Sequence, residues 1–370
     1  MYKLTKNGKT IVGNNEDYFS PNSQFWFEEG RKDTFGVMYM GLLNNFPQGA
    51  FNEAGLMYDG FYEPYLAVNE TEGKLDIPIE EALKIVMQTM TYVEEVQAYL
   101  STINLSFITN GQLVFVDKSG TYLIIEGDEM IVGDEPEKTF SNFYYSQITS
   151  VDEVNLEYYQ NGRKFLASTT EKETLDYCSE AMSHFAQANI AHTQYSTIYD
   201  LNELKVRVHL LHDFEQYVEL DLKQEFTKGN HRTMIAELFP KESAGYQFYE
   251  TYNNPDHPSK WIEEYLKGQE FTEEDLTNSG FDMVINQLGY EWLNYKQDAE
   301  GAIKMFSYGI ELMPNNANLY DSLGEAYFQH KDWKNSLKHY RKSLELNPEN
   351  ENAVKMVEKI RELEKTDSGK

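Results

Sequence analysis

Gly13-Asn14-Asn15-Glu16-Asp17-Tyr18 decides how this chain is read, together with the short hairpin that delivers it. Residues 1–6 and 9–12 form two β-segments around Asn7-Gly8, the dipeptide that most readily takes the positive φ angles of a two-residue type I′ turn. Gly13 permits a sharp exit. A polar, carboxylate-bearing quartet then interrupts the apolar pattern before Tyr18.

Two further stretches share this character. Asn52-Glu53-Ala54-Gly55-Leu56 makes a turn, with Gly55 at its tightest point, before Met57-Tyr58 resumes a buried strand. Thr139-Phe140-Ser141-Asn142 ends a strand after a three-stranded meander at residues 112–116, 122–126 and 130–132. Asn at either place also serves as an ordinary turn former. Residues 78–103 read as one helix: Pro78 suits a first turn, Glu80 and Glu81 favour the positive N-terminus, and Ala82, Ile85, Val86, Met90, Val93 and Val96 make the apolar stripe. Two helical segments fill residues 153–188, the second with Leu175, Cys178, Met182 and Phe185 on one face. Strands return at 193–199, 204–211 and 216–222. Periodicity alone defines this region as α+β.

The hairpin running into Gly-Asn-Asn-Glu-Asp-Tyr resembles the amino-terminal nucleophile (Ntn) hydrolases. Within them it is similar to the choloylglycine hydrolase, penicillin V acylase and acyltransferase group, the linear-amide C–N hydrolases. Asn-Glu-x-Gly-Leu and the strand-end Ser-Asn strengthen the likeness. The resemblance implies a four-layer αββα sandwich over residues 1–240 and hydrolysis of a small-molecule amide, or acyl transfer from one. It implies a catalytic cysteine at the head of the first strand, two or three residues ahead of Met1. Asp17 would hold that cysteine's α-amine, Asn142 would donate to the oxyanion, and the backbone N–H near Tyr62 would be the second donor. Asn14, Asn15, Asn52, Tyr58 and His212 would border the substrate, although His212-Asp213 equally caps the sheet. The chain departs from the family at two places. Asn14 stands where bile-salt and penicillin acylases carry Arg, and Tyr195-Ser196-Thr197-Ile198 lacks their later strand Arg. Bile salts and penicillin V are therefore not the expected substrates.

His209 and His212 invite a metal reading, but residues three apart on a strand point to opposite faces, so no metal site is expected. No cofactor is expected either. Cys178 is the single cysteine of the 370 residues, which excludes an intramolecular disulfide. On an apolar helix face, away from any α-amine, its thiol is expected to be inert. Arg163, on the first helical segment, reads as a surface ion-pair residue.

Residues 241–257 are rich in breakers and polar groups and read as a linker. Beyond them, residues 258–370 are helical and repeat. Ile285, Leu288, Gly289, Trp292, Ala302, Phe306, Gly309 and Pro314 recur as Tyr320, Leu323, Gly324, Tyr327, Ser336, Tyr340, Ser343 and Pro348. This order of large, small and aromatic residues resembles the tetratricopeptide (TPR) repeat, which implies a protein or peptide partner. Helices at 258–267 and 352–365 are expected to cap the array.

The 32 Lys and Arg against 61 Asp and Glu give a formal charge of −29, which argues against nucleic acid and anionic lipid as partners. No run is apolar enough to span a membrane, and Met1 is not followed by a signal-peptide pattern. As written the chain reads as cytoplasmic, or as periplasmic or secreted if a leader precedes Met1. Two function classes stay open: an amide hydrolase or acyltransferase, and a non-catalytic member of the same fold whose repeats bind a partner.

Overall fold

In the computed structural model, which describes residues 1–168 and 174–367, Asn7 and Gly8 take φ angles of 53° and 77° between β1 (Tyr2–Lys6) and β2 (Lys9–Tyr18). Lys6 pairs with Lys9, so the turn has the two residues that the sequence implies. The chain divides into two compact units, Met1–Tyr246 and Gln247–Lys370.

In the first unit β3 (Ser23–Glu28), β4 (Val37–Leu42), β5 (Pro47–Asn52) and β6 (Met57–Tyr62) follow the hairpin. Helices α1 (Ile79–Thr89) and α2 (Val93–Leu100) then precede the meander β7 (Gly111–Val116), β8 (Tyr122–Glu126) and β9 (Glu129–Gly133). Short β10 (Glu137–Thr139) leads to α3 (Glu157–Ser168) and α4 (Leu175–His184). Strands β11 (His192–Asp200), β12 (Lys205–Leu210) and β13 (Asp213–Asp221), the single turn α5 (Leu222–Glu225) and β14 (His231–Met234) complete it.

These strands form two antiparallel sheets, in the orders β10-β1-β2-β11-β12-β13 and β14-β3-β4-β5-β6-β7-β8-β9. The sheets face each other through aromatic contacts, Phe25 on Tyr195 and Phe51 on Tyr199. Helices α1 and α2 cover the outer face of the larger sheet, burying Leu83, Val86, Val93 and Val96 against Tyr58, Phe115 and Leu123. Helices α3 and α4 cover the smaller sheet, where Tyr159, Cys178 and Met182 pack on Tyr2, Ile11 and Ile198. The result is the four-layer αββα sandwich. Strands β3, β10 and β14 carry no clear alternating pattern and were not anticipated.

One expectation needs correcting. Residues 78–103 are two helices, broken where Met90 (ψ 148°) and Tyr92 (ψ 150°) turn extended. Asn52 Nδ2 donates to the carbonyls of Met87 and Met90, both at 2.9 Å, and Glu95 Oε2 accepts from the N–H groups of Thr91 and Tyr92. Long-range capping ends the first helix, a constraint that the apolar period does not carry.

Residues 241–257 are not wholly irregular, because α6 (Ala244–Tyr252) lies among them. The second unit continues with α7 (Lys260–Leu266), α8 (Glu273–Asn278), α9 (Phe281–Tyr290), α10 (Ala299–Leu312), α11 (Ala317–Gln329), α12 (Trp333–Leu346) and α13 (Glu351–Asp367). The repeat signature has a packing cause. A Cβ at Gly289 would lie 2.2 Å from Phe306, and one at Gly324 would lie 2.9 Å from Tyr340. Ser336 Oγ donates to the Gly324 carbonyl at 2.7 Å. Ile285 to Trp292 precede their counterparts by 35 residues and Ala302 to Pro314 by 34, so the first repeat has one extra residue between Trp292 and Ala302, next to the π-turn of Glu291–Tyr295.

Candidate active site

Alternation along β2 sorts the residues expected at the site onto two faces. Ile11, Gly13 and Asn15 face α4: a Cβ at Gly13 would touch Met182, and Asn15 Nδ2 donates to the Met182 carbonyl at 3.0 Å. Asn14 and Glu16 point the other way, between the sheets, and Asn14 Nδ2 donates to Glu16 Oε1 at 3.0 Å. Asp17, near the strand's end, accepts from Thr193 Oγ1 and from Gln187 Nε2, each at 2.5 Å.

The end of β1 meets the loop after β10. Met1 and Phe140 exchange two backbone hydrogen bonds, Phe140 N to Met1 O and Met1 N to Phe140 O, both 2.8 Å. Two residues further on, Asn142 Nδ2 donates to the Tyr62 carbonyl at 2.9 Å, and Asn142 Oδ1 accepts from the Tyr158 hydroxyl at 3.1 Å. Met1 nitrogen lies within electrostatic range of Asp59, Asp17 and Glu16, while the Tyr158 hydroxyl feels Asp17 and Glu63. Asp17, Asn142 and Tyr62 are thus drawn to one end of the sandwich, beside Met1.

Electrostatics there are unusual because acids outnumber their partners. Burial raises the Asp17 carboxyl to about 6, against the hydrogen bonds from Thr193 and Gln187 that lower it. Burial raises Glu63 to about 7, with Glu126 adding to the shift. Glu16 and Asp59 lie within hydrogen-bonding reach of each other across the gap between the sheets, and burial pushes both up. Burial lowers the Met1 α-amine to about 6.

Three residues expected at the substrate, Asn52, Tyr58 and Asn15, are tied into the scaffold. Asn52 is completely buried; beyond its two donated bonds, its Oδ1 accepts from the N–H groups of Ala54 and Leu56 at 3.0 and 2.9 Å. Every hydrogen-bonding position of that amide is filled, so it has nothing to offer a ligand. The Tyr58 ring packs in the core beneath α1 and α2, with its hydroxyl donating to the Pro47 carbonyl at 3.0 Å. Asn15 ties α4 to the sheet, accepting from Ser196 Oγ at 2.6 Å. His212 sits in the two-residue turn between β12 and β13, with its ring 6.4 Å from that of His192. His209 points elsewhere, its Nε2 hydrogen-bonded to Ser179 Oγ at 2.9 Å and its Nδ1 to the Gln216 carbonyl. Arg163 forms an ion pair with Asp152 at 2.8 Å.

Sequence reasoning missed Glu16, Asp59, Glu63 and Tyr158. Asp59 carried a signal: a carboxylate in the middle of the apolar run Leu56-Met57-Tyr58-Asp59 has no surface to face.

The tetratricopeptide repeat family matches residues 317–350. The chain is similar in structure to a variant of conjugated bile acid hydrolase from Clostridium perfringens, at 17% identity, covering 63% of this chain and 96% of that one with a TM-score of 0.49. Penicillin V acylase from Agrobacterium tumefaciens matches at 12% identity, over 60% of this chain and 86% of that one, with a TM-score of 0.46. A second variant of the Clostridium enzyme matches at 18% identity, over 63% and 95%, with a TM-score of 0.47. No curated protein matches the sequence significantly. Among the described residues no helix is long and apolar enough to cross a membrane.

Proposed function

We propose that the chain is an amide C–N hydrolase, an acylase or amidase that works through an N-terminal nucleophile. The observation that carries this reading is the reciprocal bonding of Met1 with Phe140, which fixes the direction of β1 at the site. Chain extended ahead of Met1 along that strand runs beside Ser141 and draws level with Asn142. A cysteine two or three residues ahead of Met1 therefore arrives where Asn142 and Tyr62 meet. Its own α-amine is the general base, because an α-amine titrates near neutrality and lies a few bonds from the thiol. Asp17 orients that amine. The Asn142 amide has a second N–H besides the one given to Tyr62, and this N–H stabilises the tetrahedral oxyanion. The thioester formed after the amine leaves is released to water, or to an acceptor amine in an acyltransferase.

The experiment is mass spectrometry of a chain preceded by a processed cysteine and mixed with a slow acyl anilide. A mass increase equal to the acyl group, located on the N-terminal peptide, supports the reading. Acylation confined to any other residue overturns it.

For the helical repeats we infer a protein or peptide partner. A groove of about 750 Å³ supports this, lined by Tyr290 and by Asn318, Asp321 and Glu325, one helical face of α11, together with Asn350 and Asn352.

A further inference from the structure

The acids between the sheets lack what buried acids ordinarily have. Among the described residues no lysine or arginine pairs with Glu16, Asp59 or Glu63. Only 9% of Glu16, 3% of Asp59 and 4% of Glu63 is exposed, so bulk solvent does not screen them in place of a cation. A buried carboxylate is tolerated when paired and is otherwise driven to its neutral form.

An independent observation comes from Asn14, which is not an acid. It is 1% exposed, its amide nitrogen is given to the two carboxyls, and its Oδ1 has no partner. Asp59 Oδ1 and Glu63 Oε1 are likewise unpartnered. Each such oxygen, left buried and unbonded, carries its full desolvation penalty. Retaining several together makes sense if a ligand supplies the donors. Asn14 Oδ1 and the ionised carboxylates of Asp59 and Glu63 can only accept, while the neighbouring unpartnered hydroxyls of Tyr195 and Thr197 can accept as well as donate, so a donor satisfies the whole set and, facing two carboxyls, that donor is a cation.

The position follows from the strands. Asn14 and Glu16 sit on the inward face of β2, and Asp59 faces them from β6, three residues before Tyr62. Met1 nitrogen, at the strand end, is in range of Glu16 and Asp59. Along β6 the acceptor set therefore lies three residues before the Tyr62 carbonyl that Asn142 holds.

We propose that this set binds a positively charged amino group of the substrate, so that the amides taken by the site are cationic ones. This rests on the amide-hydrolase reading for the word substrate; the binding of a cation does not. An ammonium has three donors, enough for Asn14 Oδ1 and one oxygen from each of Glu16 and Asp59. Bound there, it lets both carboxyls carry charge. A neutral or anionic group entering the same space leaves the acceptors unpaired or adds repulsion, which is how such a site rejects it.

The test uses the full 370-residue chain and needs no turnover. Calorimetric titration compares hexanoyl anilides that end in an amine, a methyl group or a carboxylate with hexanoyl amides of diaminobutane and butylamine. The two positions of the charge are thus both sampled. The expected result is at least ~10-fold tighter binding of one cationic probe than of its neutral counterpart, with the preference lost in Asp59→Asn and in Glu16→Gln. Two variants are used because either alone could disturb the gap between the sheets; circular dichroism reports which of them keeps the fold. Equal binding of charged and neutral probes overturns the proposal. So does loss of the preference when sodium or calcium chloride is added at constant ionic strength, which would make this an inorganic-ion site. Cation preference in a protein that never hydrolyses amides would sink the hydrolase reading and leave the cation site standing.

Discussion

Asn142 Nδ2 and the carbonyl oxygen of Tyr62 are 2.9 Å apart and hydrogen-bonded, joining the loop after β10 to the end of β6. The Tyr158 hydroxyl holds the other end of the same amide. An amide gripped at both ends is pre-aimed, which is what an oxyanion donor requires.

In a chain preceded by the processed cysteine, Asn142→Ala should lower kcat by ~10²–10³ with little change in KM, since the oxyanion exists only in the transition state. Steady-state kinetics on one acyl anilide decides this. An effect on KM alone would make Asn142 a substrate-positioning residue.

Asp17→Asn in the same protein should abolish hydrolysis while the fold persists. The replacement keeps one acceptor for Thr193 or Gln187 but loses the charge that orients an α-amine. Circular dichroism and turnover are measured on the same sample. Full activity would remove Asp17 from the mechanism.

Asn52→Ala should destabilise the first unit by roughly 2–4 kcal/mol, because it orphans buried carbonyls of α1 and N–H groups of the β5–β6 turn. Urea unfolding measures it. A neutral result would mean that water replaces the amide.

Asp59→Asn should gain stability relative to the parent as pH rises from 5 to 8. The sign follows from burial, which raises the Asp59 carboxyl above its ordinary range. Folded protein therefore holds that proton more tightly than unfolded chain. Its contribution is favourable at low pH and is lost as pH climbs from about 4 through the raised value. The neutral amide escapes that loss. Thermal melts of both proteins at matched pH give the difference, and a constant difference across the range would refute the assignment.

Cys178 should resist thiol reagents in the folded chain and react only on unfolding. It is completely buried, and burial pushes its thiol up to about 12. Timed alkylation with and without urea gives the comparison.

Much of this was legible in the sequence because it is written in local rules. Asn7-Gly8 gave the hairpin, the meander strands fell where alternation and turn residues put them, and Gly289/Phe306 with Gly324/Tyr340 gave the repeats. What failed was non-local. The break between α1 and α2 is set by Asn52, whose partners Met87 and Met90 lie 35 and 38 residues away. That same saturation makes Asn52 a scaffold residue, though its motif suggested substrate. The split of Asn14 and Asn15 onto opposite faces follows from strand period, once β2 is known to run straight to Tyr18. The pairing of Glu16 with Asp59 joins two sheets and had no sequence signal beyond one misplaced carboxylate.

The central claim is that the catalytic nucleophile enters from ahead of Met1 and lands beside Asn142. The most direct measurement is amide turnover by the 370-residue chain and by the same chain preceded by cysteine at one, two, three and four residues from Met1, with each N-terminus confirmed by mass. The account predicts no turnover from the chain alone, and a maximum at two or three residues that disappears on acetylating the α-amine. Turnover by the chain alone that is lost on modifying Cys178, or inactivity at every cysteine position, would contradict it.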